Sequence, residues 1–148
     1  MGETAGYMVT WTTYGTWLQG DERGFVKKGE ILCGCEGLRK ANERKRKGNA
    51  VKLNKGERDI ARKAIEAEAR RIGESMLALS VWSNHVHVVI GAGGRSVSEV
   101  VSRLKSAGYF ALKEAGFRGR VWTRGYDKRF CFDEKALKER IRYVEGHR

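Results

Sequence analysis

The apolar positions change period along the chain. The stretch "GYMVTWTTYGTW" is crowded with aromatic and β-branched residues and predicts a first strand. "LQGDERG" breaks it with glycine and charge. In "KGERDIARKAIEAEARRIGE", Ile60, Ala64, Ala67 and Ile72 recur near helical spacing, which predicts a first long helix. "SMLALSVWS" and "HVHVVIGA" then predict two strands joined tightly at Ser83-Asn84. "GGRSVSEVVSRLKSAGYFALKEAG" predicts a second helix, capped by Ser96 or Ser98, with Val97, Val100, Val101, Leu104 and Leu112 along one face. "VWTRGYDKRFCF" predicts a turn into a strand, and "DEKALKERIRYVEGHR" a last helix with Asp133 at its cap.

The order strand, helix, strand, strand, helix, strand, helix is that of a split βαβ arrangement with an added terminal helix. The expected fold is α+β and ferredoxin-like: an antiparallel sheet with helices on one face, a working surface on the other, and a C-terminal helix. Residues 1–148 are read as a single domain without repeats or a linker. One segment departs from the pattern. Residues 34–56, "GCEGLRKANERKRKGNAVKLNKG", are basic and thinly apolar, and read as an excursion or short helix able to contact phosphates.

Charge narrows the partner. Thirty Lys and Arg against 18 Asp and Glu give a formal charge of +12, which favours a polyanion, nucleic acid above all. Nothing approaches the length of an apolar membrane span, and "MGETAGYMVTW" lacks the features of a secretory signal. A soluble, cytoplasmic protein with no membrane partner is expected, associated with the nucleoid when bound to DNA. The cysteines, Cys33, Cys35 and Cys131, are odd in number and read as free thiols.

Two histidines carry the candidate chemistry. In a strand, His85 and His87 face one way and Val86, Val88 and Ile90 the other. The apolar trio makes a core face, so the imidazoles look out from the opposite side, close enough for both to reach one cation. His-x-His alone does not establish a metal site, and two ligands are too few for a tight one. The remaining histidine, His147, lies four residues after Tyr143, so both fall on one side of the last helix. Leu137, Ile141 and Val144 form that helix's core stripe, with Tyr143 and His147 on its flank.

Together, "HVH", "LK", "VW...GY" and "YVEGH" resemble the HUH endonucleases with a single tyrosine. The segment beginning "SVSEVVSRLKSAGYF" and the opening "TWTTYGTWL" resemble the REP-associated tyrosine transposases in particular, and the likeness runs from Tyr7 onward. The resemblance implies a metal-dependent enzyme that nicks and rejoins single-stranded DNA, often beside a hairpin, through a covalent 5′-phosphotyrosine. It implies Tyr143 as nucleophile and His85 and His87 as ligands of Mg²⁺ or Mn²⁺. His147 stands where relatives carry Gln or Asn as a third ligand. It also leaves open a homodimer that exchanges its tyrosine helices.

Tyr126 is the second choice of nucleophile. Arg103, Lys105, Arg124, Tyr126 and Lys128 are candidate DNA contacts, through salt-dependent phosphate pairing and stacking on unpaired bases. Trp82 and Trp122 could also stack. Two other readings compete: a nucleic-acid-binding module of ferredoxin-like form without chemistry, and a metal phosphoesterase that uses water. The first would carry strand aromatics where this chain has histidines; the second would be indifferent to Tyr143.

Overall fold

A computed structural model describes residues 4–16 and 50–146. Most of the basic excursion, together with Cys33, Cys35 and His147, lies outside the described residues. The elements are β1 (Gly6–Thr12), α1 (Lys55–Arg71), β2 (Met76–Val81), β3 (His85–Gly91), α2 (Val97–Glu114), β4 (Asp127–Cys131) and α3 (Glu134–Gly146). The strands form one sheet in the order β2-β3-β1-β4, and every neighbouring pair is antiparallel. β3 thus inserts between β1 and β2, which is the split βαβ topology expected from the element order.

Helix starts follow local chemistry. Asn54 caps α1 through a full capping box with Glu57. Ser96, rather than Ser98, caps α2 by accepting from the Glu99 amide. Asp133 accepts from the Ala136 amide at 2.8 Å and starts α3.

The two faces of the sheet are covered differently. Tyr7, Val9 and Trp11 of β1 and Val86, Val88 and Ile90 of β3 pack against Ile65 and Ala69 of α1 and Val100, Val101 and Leu104 of α2. The buried stripe of α1 runs through Ala61, Ile65 and Ala69 to Ile72; Ile72 is as expected, whereas Ala61 and Ile65 lie one residue on from Ile60 and Ala64, and Ala69 two on from Ala67. The cause is its four alanines, which are apolar enough to fit either stripe. Ile65, fully buried, packs with Trp122 over Gly108 of α2. On the opposite face Met8, Ala78 and Val89 meet Val144, with Leu137 and Ile141 packed beside them. α3 therefore lies on the working face, away from α1 and α2.

Gly6 makes that docking possible. A β-carbon there would stand 2.5 Å from the Ile90 carbonyl oxygen and 2.8 Å from Leu137 Cδ1. Only glycine lets strand and helix come this close.

Candidate active site

The face under α3 is divided by cross-strand register. One row is apolar, with Met8 opposite Val89 and Ala78 beyond it. The next row is polar: Thr10 pairs with His87 and with Asp127, and His87 pairs with Ser80. Thr12 pairs with His85 one step further along. α3 covers the apolar row, and its Tyr143 reaches the border of the polar ones.

His85, His87 and Tyr143 come together. The two imidazoles sit with centroids 4.7 Å apart, and the His87 and Tyr143 rings 5.6 Å apart, edge to face. His87 is only 7% exposed, because α3 closes over it, whereas Tyr143 is 45% exposed. Each imidazole is oriented by a neighbour. The Nδ1–H of His85 donates to Asn84 Oδ1 at 2.7 Å, and His87 Nδ1 shares a 2.8 Å hydrogen bond with the Thr10 hydroxyl. Trp82 stacks flat on His85, at 5.7 Å and 6° between planes. The sequence pattern does not single out Asn84 or Thr10. Asn84 is signalled only by its place beside His85 in the turn, and Thr10 only once β1 is paired with β3.

Among the described residues, no group of three or more His, Cys, Asp or Glu side chains comes together to hold a metal. The pair supplies two imidazole donors, which suit a divalent cation needing further ligands from elsewhere. His147, expected as the third, lies outside the described residues.

The candidate DNA contacts are scattered. Arg103 lies on α2, behind the sheet, 3.7 Å from Glu99. Lys128 pairs in register with Val9, so it belongs to the α1/α2 side, over the Phe130 ring. Tyr126 packs against the main core. The Lys105 ammonium donates to the carbonyls of Thr123 (2.8 Å) and Gly125 (3.0 Å), and burial pushes its pKa down. Arg124, in the loop those bonds hold, lines a cleft at the end of the sheet. Trp122 donates to the Lys105 carbonyl and packs edge-on against Trp11, as a wall of the core. Cys131 is a free, buried thiol whose pKa burial pushes up. No helix among the described residues is long and apolar enough to cross a membrane.

No family model and no curated protein sequence matches the chain. The solved structures that share its fold include a transposase and a proposed transposase. A REP-associated tyrosine transposase bound to a REP hairpin is 12% identical with a TM-score of 0.55, over 96% of this chain and 66% of that one. A proposed transposase from Deinococcus radiodurans is 18% identical with a TM-score of 0.52, over 97% of this chain and 91% of that one. The chain thus spans just under two thirds of the first protein's length. At such identities the likeness is one of architecture, and it agrees with the resemblance read in the sequence: the chain has the fold of a REP-associated tyrosine transposase.

Proposed function

We propose that this protein is a transposase that nicks and rejoins single-stranded DNA through a covalent 5′-phosphotyrosine, guided by a DNA hairpin. The observation that carries the reading is the 5.6 Å approach of the Tyr143 ring to His87, between elements far apart in sequence. A core tyrosine would turn its ring inward; this one stays 45% exposed beside two oriented imidazoles.

The Tyr143 phenol oxygen attacks the scissile phosphorus. The new O–P bond forms as the bond to the 3′ oxygen breaks; the phenol proton leaves, and the departing oxygen takes up a proton as a 3′-OH. The ester energy is retained in the phosphotyrosine, so the 3′-OH of another end can reverse the step and join strands. Asn84 holds the His85 proton on Nδ1, so Nε2 would be the nitrogen to hold a cation. Thr10 does the same for His87 when its oxygen accepts from Nδ1. A bound Mg²⁺ or Mn²⁺ would draw charge from the phosphate oxygens, with His147 as a third ligand. The +12 charge supplies the attraction to DNA.

The test uses an end-labelled single-stranded DNA carrying a hairpin. A divalent-cation-dependent covalent adduct should form with the protein, disappear with chelator, and be absent from Tyr143→Phe. An adduct that survives in Tyr143→Phe would overturn the assignment of the nucleophile. Cleavage without any adduct would favour water as the attacking group.

A further inference from the structure

Beyond the histidines, two of the clefts among the described residues exceed 600 Å³. One, of about 620 Å³, lies along β2 between Arg58, Arg62 and Trp82. Its charges are already matched: Arg62 pairs with Asp59 and with Glu66, and Arg58 donates to the Leu53 carbonyl. The other, of about 680 Å³, lies where the end of β1 meets α2 and the loop before β4. It falls within the roughly 300–1,000 Å³ of small-ligand sites. None of the described residues lining it is acidic, and its cations include Arg120 and Arg124.

The second cleft joins cationic and aromatic groups in one place. On α2, Tyr109 and Phe110 present their rings beside it, 5.2 Å apart and at 80°. Phe110 is 66% exposed, a large apolar surface for a single side chain to leave in water. Across the cleft Arg120 lies over the Tyr14 ring at 5.2 Å. Arg124 is carried by the loop that Lys105 holds through the Thr123 and Gly125 carbonyls. The cleft also abuts the candidate active site through the chain itself. Thr12 pairs with His85, the Thr13 amide donates to the Asn84 carbonyl, and Tyr14 follows. Tyr14 is thus about 7 Å along the chain from Thr12. The histidines open toward α3 and the cleft toward α2, around one end of the sheet.

We infer that this cleft is a subsite for an unpaired nucleotide of the DNA strand, its base stacked on the exposed Phe110 ring with Tyr109 edge-on beside it, and its phosphate held by Arg120 and Arg124. The assignment rests on the nucleic-acid reading above and adds where the strand flanking the cut is gripped. Aromatic faces suit any base, and guanidinium groups suit the phosphate on either side of it. A duplex keeps its bases stacked on one another and offers the cleft none.

The experiment measures binding of the full chain to a short fluorescein-labelled oligonucleotide, single-stranded or annealed to its complement, by anisotropy without divalent cation. Phe110→Ala leaves the core untouched and should weaken single-strand binding roughly 5- to 150-fold, with duplex binding unchanged. Arg120→Ala combined with Arg124→Ala should flatten the dependence of log affinity on log salt, by about 0.7 for each phosphate left unpaired. Wild-type single-strand affinity in Phe110→Ala overturns the inference, as does an equal loss for both DNA forms. The covalent adduct at Tyr143 is read separately. If it forms while the cleft variants bind normally, only the cleft assignment fails; if single-strand binding falls in the variants but no adduct ever forms, only the nicking assignment fails.

Discussion

The Thr10 hydroxyl and His87 Nδ1 lie 2.8 Å apart, and both residues are buried, at 6% and 7% exposure. Neither group can exchange its partner for bulk water, so the bond fixes the plane of the ring. Thr10→Val keeps the shape and removes the oxygen. Leaving a buried imidazole nitrogen unpaired should cost about 1–3 kcal/mol of stability, measured by urea unfolding. Cation affinity, measured by calorimetry, should fall about 10- to 100-fold. Thr10→Ser should restore both; if Thr10→Val matches the wild type in both, the bond orients nothing.

Gly6→Ala should loosen α3. The added carbon meets the Ile90 carbonyl and the Leu137 methyl at distances real side chains do not adopt. Overpacking of this kind costs about 1–3 kcal/mol, and relief comes most readily by moving the helix that carries Tyr143. The variant should unfold at lower urea and form less of the covalent adduct. Wild-type unfolding would show that the strand and helix do not touch in this way.

Tyr7 sets an alkaline limit. Its phenol is buried, makes no hydrogen bond among the described residues, and has its pKa pushed up from 10.0 to about 12, first by burial and then by Glu74 and Tyr126. The unfolded chain loses this proton from about pH 10 while the folded protein keeps it until about pH 12. This contribution is therefore intact below about pH 10 and falls by about 2–3 kcal/mol as pH rises to about 12. Tyr7→Phe should lack that decline and lose nothing at neutral pH. Parallel stability–pH curves for the two proteins would refute the assignment.

Lys105 should prove to be a staple for the loop before β4. Lys105→Met retains the stem and removes the ammonium that donates to two carbonyls. Such bonds are worth about 1.5–3 kcal/mol. Amide exchange should quicken around residues 123–125 ahead of the sheet. Unchanged exchange there would mean the loop is held by other bonds, such as the Thr123 hydroxyl donating to the Thr13 carbonyl.

The sequence makes legible whatever a single element's period encodes. His85 and His87 fall opposite Val86, Val88 and Ile90 because strand parity admits no other arrangement. Likewise Leu137, Ile141 and Val144 place Tyr143 on a flank of their helix. What depends on pairing distant segments stays hidden. Thr10 meets His87 only through the register of β1 on β3, and Lys105 finds its carbonyls only once the loop after α2 has folded back. The stripe of α1 shifts by one or two residues before Ile72 because alanines define a face weakly. Arg103 and Lys128 are basic and stand near the candidate chemistry in sequence, but the sheet puts them on its other side.

The grip of α3 has a consequence of its own. This 13-residue helix has one fully buried residue, Val144, supported by Leu137 and Ile141, whereas α1 and α2 share a continuous core with three strands. Local opening free energies follow such differences in buried surface. Among the described elements, the helix bearing Tyr143 is therefore the one that detaches most cheaply, and the scaffold outlasts it. With Tyr143 as the proposed nucleophile, gentle warming or dilute denaturant would silence strand cleavage while the sheet with its histidine pair stayed folded, and the loss would reverse on cooling.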